Sequence, residues 1–245
     1  MQSLRLALGC LTIVPVGPRA TPPDAAFGRS WIWFPLIGLL IGVMLVGAYR
    51  LLAPVMPALV TTVLVLGIWV LLTGALHLDG LADVCDGLYG GHTPTERLRI
   101  MKDPHLGTMA AVGVAMHLLL KFAVLHSLSS SAIVPALLLI PCLGRYAMVI
   151  PGTTLPYART EDGAAASFVR HATVSSLLIA TLAALALSWA IAGRIGLGLC
   201  GVVGGVALMA RAVFSRALGG ITGDALGAVG EIAESVALVC VVAWC

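Results

Sequence analysis

Three aspartates stand at helical spacing directly after a long apolar segment of this chain. They are Asp79, Asp83 and Asp86, in a stretch that begins His-Leu-Asp-Gly at His77. If the stretch is helical, their spacing places the three carboxylates within roughly 60° on one face. Grouped carboxylates repel one another unless a cation lies between them, and Mg²⁺ takes oxygen ligands and often bridges to a substrate phosphate. The pattern therefore predicts that these three aspartates bind Mg²⁺.

The residues around the aspartates refine this prediction. His77 falls on roughly the opposite side of such a helix, so we expect it to contact substrate or form a hydrogen bond rather than bind metal. Zinc is disfavoured because acids dominate the cluster. Gly80 and Gly87 weaken a purely structural helix and would allow a ligand to approach closely. The alternative interpretation is a solvated helix end with three unrelated acids.

A second polar segment follows, with Thr93 as the predicted cap of a short helix. Lys102 and Asp103 stand at its end, immediately before the glycine-containing start of an apolar segment. We predict that both act in catalysis. Arg97 and Arg99, in the same segment, are explained equally well as charges that set membrane topology.

The third polar cluster is a glycine-rich turn near the C-terminus. Four glycines between positions 219 and 227 leave backbone N–H groups accessible, which suits phosphate. Asp224 stands among them, and we predict that it completes the metal site or acts as a general base. Glycine is also common in membrane helices for packing, which is the alternative. The substrate-binding residues predicted here are Arg211, Arg216, Thr222 and Gly223.

Two basic residues fall inside apolar segments. Arg145 lies within one of them, and an intramembrane charge is a functional hypothesis by default. We predict that Arg145 neutralises phosphate charge, with snorkelling of the side chain to the interface as the alternative. Lys121 lies deeper toward the outer side, where snorkelling or helix pairing is favoured.

Composition identifies the class of protein that carries these clusters. The chain has 245 residues, of which 60% are hydrophobic and only 10% charged, whereas a soluble domain is about 25% charged. We predict an all-α integral membrane protein, a bundle of about seven transmembrane helices that forms one polytopic domain over residues 1–245. The segments long enough to cross a bilayer are 33–52, 57–76, 106–127, 132–151, 174–193, 195–214 and 226–245.

The charged residues indicate the orientation of this bundle. One side, formed by the N-terminus and the segments 77–105, 151–173 and 211–234, carries ten of the lysines and arginines and all eleven acids, while the other side carries only Arg50 and Arg194. By the positive-inside rule the first side is cytoplasmic. We therefore expect a polar active-site cap that faces the cytoplasm.

The three clusters together predict phosphoryl transfer, because that chemistry needs little more than positioning and neutralisation of charge. The chain contains no Walker A, G-x-S-x-G or H-E-x-x-H sequence, which excludes P-loop enzymes and the hydrolases that use the other two motifs. The six cysteines are scattered without a C-x-x-C pair, and buried apolar roles are favoured for them.

Several motifs resemble the cobalamin synthase family, also called adenosylcobinamide-GDP ribazoletransferases. They are the aspartate motif from His77 to Asp86, the Met-Lys-Asp run that ends at Asp103, and a Gly-x-Thr-Gly-Asp-x-Leu-Gly-Ala run that ends at Ala228. A Leu-Thr-x-x-Pro-Val run starting at position 11 and a Phe-Pro-Leu-x-Gly run starting at position 34 also fit. These motifs occur in the same order as in the family, and the resemblance extends from near residue 10 to the C-terminus.

The resemblance implies Mg²⁺-dependent joining of adenosylcobinamide-GDP to α-ribazole or its 5′-phosphate, with release of GMP, at a bacterial inner membrane. It implies no nucleic-acid partner, and it leaves open a homo-oligomer and contacts with other late enzymes of cobalamin synthesis. In this interpretation the aspartates and Mg²⁺ hold the diphosphate. The residues that would neutralise phosphate charge are Lys102, Arg145, Arg211 and Arg216.

One departure and two alternatives qualify this interpretation. The family's usual Ser-Arg after the Lys-Asp pair is replaced by Pro104-His105, and a histidine would contact phosphate only weakly at neutral pH. A CDP-alcohol phosphotransferase also uses clustered aspartates, but its motif has Ala-Arg where this chain has Ala-Asp83. An ion-coupled transporter would bind near the bilayer midplane, and no predicted span carries an acid at its centre.

Overall fold

The computed structural model describes residues 1–16, 22–161 and 163–244, and the regular secondary structure of this part is helical, with one isolated β-bridge in its loops. The prediction of an all-α membrane protein is confirmed. The helices of the described part are α1 (Gln2–Leu11), α2 (Asp24–Ser30), α3 (Phe34–Leu52), α4 (Ala58–Leu72), α5 (Leu76–Gly90), α6 (Pro94–Ile100), α7 (Thr108–Ser127), α8 (Ile133–Thr154), α9 (Ala166–Arg170), α10 (Val174–Leu218) and α11 (Gly223–Trp244).

Five helical segments of the described residues are long and apolar enough to cross a membrane. They are Asp24–Leu52, in which a 3₁₀ turn joins α2 to α3, and the helices α7, α8, α10 and α11. A sixth candidate segment is added if α4 and α5, which meet at 86°, are counted as one bent span. The predicted number of seven spans is therefore not confirmed.

The long helix α10 is broken near its middle. A straight helix of its 45 residues would be far longer than the roughly 30 Å hydrocarbon core of a bilayer. Ala192 and Gly193 leave helical geometry, and a Cβ built on Gly196 would lie 2.0 Å from the carbonyl oxygen of Ser188. The chain therefore folds back at this break, which coincides with the boundary predicted between the segments 174–193 and 195–214.

Helix α8 forms the centre of the bundle and is buried along most of its length between α3, α10 and α11. The α3 backbone approaches α8 closely through Gly38 and Gly42. A Cβ on Gly38 would lie 2.3 Å from the Pro141 carbonyl oxygen, and one on Gly42 would lie 2.6 Å from that of Leu137. This is the small-xxx-small packing typical of membrane helices, in which small residues let two backbones meet.

Replacing Gly38 by valine should lower the unfolding temperature of the purified protein. The added side chain would overlap the α8 backbone, and overpacking of this kind costs about 1–3 kcal/mol. Gly47→Val in the same helix is the matched control, since nothing lies within 4 Å of a Cβ at Gly47. Equal unfolding temperatures for the two variants would contradict the close packing of α3 on α8.

Candidate active site at the polar end of the bundle

A sharp turn after α4 sets the direction of the helix that carries the three aspartates. Gly74 and Ala75 adopt left-handed backbone conformations, with φ of 60° and 57°, and only glycine does so without strain. Helix α5 then leaves at 86° to α4 and lies outside the five single-helix spans. The helix predicted from the aspartate spacing is confirmed.

Helix α5 packs against the start of α11 at two glycines. A Cβ on Gly80 would lie 2.6 Å from the carbonyl oxygen of Asp224, and one on Gly227 would lie 3.0 Å from the Cα of His77. The space that we assigned to a ligand near Gly80 is thus filled by α11. This close approach brings the first and third sequence clusters together.

Asp79, Asp83 and Asp224 form the acidic centre of the site. Asp79 is exposed, whereas Asp83 is half-buried on the same face of α5. Burial, followed by the neighbouring carboxylates of Asp224 and Asp79, raises the pKa of Asp83 to about 7. At neutral pH the cluster therefore favours the binding of a proton or another cation.

Arg159 is a site residue that sequence reasoning missed. Its guanidinium Nη2 donates a hydrogen bond of 2.7 Å to the Asp224 carboxylate. A parallel bridge between Tyr157 and Ile221, with the Ile221 N–H donating to the Pro156 carbonyl oxygen at 2.9 Å, places the arginine there. No local motif surrounds Arg159, and only its position in a charged loop on the polar side could have pointed to it.

Asp86 has a structural contact that the sequence did not reveal. Its carboxylate accepts hydrogen bonds from the backbone N–H groups of Gly107 (2.7 Å) and Ala110 (2.8 Å) at the start of α7. A carboxylate is stabilised at a helix N-terminus by the helix dipole and the free N–H groups there. Asp86 therefore anchors α7 to α5, and its role as a metal ligand stays a prediction.

Lys102 and Asp103 lie beside the aspartates, as expected for residues of one site. Together with Asp79, Asp83 and Asp86 they line a cavity of about 220 Å³. The Lys102 ammonium contacts the carboxylate of Glu161. The backbone N–H of His105 donates to Asp103 and lowers its pKa. These two residues form the rim of the acidic cavity.

The helix predicted between the first two clusters is also present. Thr93 and Glu96 form a reciprocal capping box at the start of α6. Arg97 donates hydrogen bonds to the carbonyl oxygens of Gly91 (3.0 Å) and Ala217 (3.1 Å), which fastens α6 to the end of α10. Arg97 is thus a structural residue here.

Several residues of the glycine-rich cluster have structural contacts. Thr222 is fully buried, and its hydroxyl accepts a 3.1 Å hydrogen bond from the N–H of Ala225, so it caps α11. Arg211 donates to the Thr154 hydroxyl at 3.0 Å. Arg216 is exposed near the C-terminal end of α10 and lines neither cavity beside the aspartates. The substrate contacts predicted for these three residues stay predictions.

Gly223, the last member of that cluster, lines a second cavity. This cavity has a volume of about 150 Å³ and is lined by Asp79 and Asp224, while its remaining walls are mostly apolar. Asp79 lines both this cavity and the acidic one. It therefore stands where the two cavities meet.

Arg145 lies in the interior of the bundle, away from the phosphate site predicted for it. Its guanidinium contacts the Glu234 carboxylate and lies 3.3 Å from Nδ1 of His77. Arg145 and Glu234 are fully buried, and His77 is 4% exposed. The predicted hydrogen-bonding role of His77 agrees with this contact, whereas the phosphate role of Arg145 gains no support from it.

The interior also corrects the expectation that no span carries a central acid. Glu231 and Glu234 are buried within α11, and the Lys121 ammonium lies 2.5 Å from a carboxylate oxygen of each. His117 Nε2 lies 2.7 Å from Glu231. Helix pairing, one of the two roles favoured for Lys121, is therefore confirmed. The acids are matched by cations within the protein, as a packed network requires.

The donor set fits magnesium only in combination with a substrate. Within the described residues, no three His, Cys, Asp or Glu side chains are arranged to hold a metal ion by themselves. Mg²⁺ usually keeps several waters and is bound through one or two carboxylates plus substrate phosphates. Asp79 and Asp83 line one cavity and can supply the one or two carboxylates that Mg²⁺ needs beside substrate phosphates.

Comparisons with known proteins decide the family. A family model described as cobalamin-5-phosphate synthase matches residues 3–242. The chain belongs to this family. A protein of Pseudomonas paraeruginosa named adenosylcobinamide-GDP ribazoletransferase is 41% identical, with 98% of this chain and 97% of that protein covered.

Other cobalamin-5-phosphate synthase relatives are similar along nearly their whole length. A protein of the same name from Geotalea daltonii is 37% identical over 97% of this chain and 96% of its own. A protein of the same name from Pseudomonas aeruginosa is 40% identical, with 98% of this chain and 97% of that protein covered. No solved structure matches the chain.

Proposed function

We propose that this protein joins adenosylcobinamide-GDP to α-ribazole or its 5′-phosphate, giving adenosylcobalamin or its 5′-phosphate and GMP. The name shared by relatives that match nearly the whole chain supports this substrate pair. The observation that carries the proposal is the position of Asp79, which lines both an acidic and an apolar cavity. A site that joins a diphosphate to a nucleoside needs both environments side by side.

In the proposed reaction a ribose hydroxyl of α-ribazole attacks the phosphorus linked to cobinamide. The bond from this phosphorus to the bridging oxygen breaks, and GMP leaves with that oxygen. Asp224, which lines the apolar cavity together with Asp79, takes the hydroxyl proton, while Arg159 holds its carboxylate in place. Lys102 and Arg159 lie where they would offset the negative charge of the diphosphate.

Asp79 and Asp83 are the residues that would hold Mg²⁺ against this diphosphate. The ion, when bound, would neutralise charge on the phosphate oxygens. Burial and the crowding of carboxylates around Asp83 together raise its pKa to about 7, and the crowding supports a cation requirement at this position.

The Mg²⁺ concentration that gives half-maximal turnover should rise as the pH falls from about 8 to about 6. Below its raised pKa of about 7 the Asp83 carboxyl is protonated, so protons compete with the metal. Turnover measured against Mg²⁺ concentration at each pH tests this expectation. In Asp83→Asn the half-maximal Mg²⁺ concentration should no longer depend on pH. A half-maximal Mg²⁺ concentration that is independent of pH in the wild-type protein would contradict the expectation.

The proposed location is the bacterial inner membrane, with the site on the cytoplasmic face. Two observations support this orientation. Ten of the basic residues fall on one predicted side of the bundle. Contacts between Gly80 and Asp224, between Arg159 and Asp224, and between Lys102 and Glu161 join three segments of that side.

Release of GMP by the purified protein in lipid vesicles tests the proposed function. The protein is given adenosylcobinamide-GDP and α-ribazole-5′-phosphate, with Mg²⁺ or with a chelator. We expect GMP to form in step with a cobalamin product and to disappear on chelation. Failure of the folded protein to release GMP with Mg²⁺ present would overturn the function, whereas full activity with chelator would overturn only the metal.

A further inference from the structure

The apolar cavity beside Asp79 and Asp224 has walls suited to a flat ring system. Its aromatic and aliphatic lining includes Trp31, Phe34, Met148, Phe168 and Leu226. All five of these side chains are buried in the structure. The polar lining groups are the two carboxylates and the side chains of Arg159, His77 and Tyr157.

The aromatic wall of this cavity is held in a fixed shape. The Trp31 ring lies 4.5 Å from that of Phe34 and 6.3 Å from that of Phe168, measured between ring centres. The Trp31 indole N–H donates a 2.9 Å hydrogen bond to the carbonyl oxygen of Phe168. A Cβ on Gly152 would lie 2.3 Å from the Trp31 ring, so the indole packs directly on the α8 backbone. The cavity is thus formed before any ligand arrives.

The lining chemistry distinguishes among the parts of the proposed substrates. Guanine carries several donors and acceptors on its edges, and burying them without partners against an apolar wall costs free energy. A corrin ring is too large for a cavity of about 150 Å³. The dimethylbenzimidazole base of α-ribazole is flat, bicyclic and mostly apolar, which matches an aromatic-walled pocket with a few polar lining groups.

We propose that this cavity binds the dimethylbenzimidazole base of α-ribazole and directs its ribose toward Asp79 and Asp224. The inference rests on the proposed function and adds to it the binding site of one substrate. Because Asp79 lines this cavity and also the acidic one, the attached sugar reaches the acidic cavity, where the diphosphate is proposed to lie. The aromatic wall then selects the base.

Met148→Ala enlarges the proposed base site, and Leu139→Ala is its matched control. Both residues are buried in α8, but Leu139 lines a separate cavity with Leu199 and Val241. Loss of apolar contact in a binding pocket weakens binding by roughly tenfold or more. We expect a roughly tenfold higher KM for α-ribazole in Met148→Ala, with the KM for adenosylcobinamide-GDP within about twofold of wild type and both constants unchanged in Leu139→Ala.

Ala165→Leu narrows the cavity from another wall and serves as a second, independent variant. Its readout is the ratio of kcat/KM for α-ribazole to that for the benzimidazole riboside, which lacks the two methyl groups. Because the leucine side chain takes up cavity volume, the bulkier dimethyl base should lose more binding than the unmethylated one, and this ratio should fall about tenfold. A merely structural role for Ala165 would lower both values together and leave the ratio unchanged.

The outcomes separate this inference from the proposed function. If the wild-type protein turns over, two results would overturn the base site and leave the function standing. One is an unchanged ratio of kcat/KM values in Ala165→Leu. The other is a KM that rises only for adenosylcobinamide-GDP in Met148→Ala. Equilibrium dialysis of wild type with α-ribazole alone should detect binding that Ala165→Leu weakens. A wild-type protein that neither binds α-ribazole nor turns over would overturn both proposals.

Discussion

Asp79→Asn should lower kcat/KM for ribazole transfer by roughly a thousandfold, the scale seen when one group that stabilises charge in an active site is removed. Asp79 is the residue that lines both the acidic cavity and the apolar one. The amide keeps the shape of the side chain but removes the charge that would bind a cation between protein and diphosphate. Initial rates with both substrates saturating, and with each limiting, measure the loss.

Two controls make this result specific. Asp24→Asn removes an exposed acid whose contact is with His171 rather than with the site, and it should keep near-normal activity. Asp79→Asn should insert and unfold like wild type, because Asp79 is exposed. Near-normal turnover in Asp79→Asn would contradict the assignment of the acidic cavity as the reaction site.

Lys121→Met should cause the largest loss of stability among single replacements of the interior charges. The ammonium contacts both Glu231 and Glu234 inside the bundle. Removing one partner of a buried ion pair leaves a charge uncompensated, which costs about 3–5 kcal/mol. Thermal unfolding in detergent measures the loss.

The comparison variants for Lys121→Met are Arg50→Met and a double replacement. Arg50 is an exposed cation at the end of α3, so its removal should change stability little. Adding Glu231→Gln to Lys121→Met should recover part of the loss, because it neutralises the acid that has lost its ammonium partner, whereas Glu234 keeps its contact with the Arg145 guanidinium. If Lys121→Met unfolded at the same temperature as Arg50→Met, the interior network would not hold the bundle together.

The acidic helix was predictable because its signal is local. Spacings of four and seven residues among Asp79, Asp83 and Asp86 place them on one helical face whatever the rest of the chain does. The Thr93 helix cap is local in the same way and was also predicted correctly. Composition alone sufficed for the membrane class.

Contacts between distant segments were not predictable from spacing. Arg159 reaches Asp224 only because a short bridge joins two loops that are far apart in sequence. Gly80 lets α5 pack closely on α11 and does not face a ligand. This role could be recognised only once the position of α11 was known. The burial of Glu231 and Glu234 likewise depends on Lys121 from another helix.

The identity of the products formed by the wild-type protein tests the central proposal most directly. The protein in lipid vesicles is supplied with adenosylcobinamide-GDP, α-ribazole-5′-phosphate and Mg²⁺, and every product is assigned by mass spectrometry. Attack on the cobinamide-linked phosphorus predicts GMP and adenosylcobalamin-5′-phosphate in equal amounts. Guanylylated α-ribazole-5′-phosphate together with adenosylcobinamide phosphate would show attack on the other phosphorus and would contradict the account.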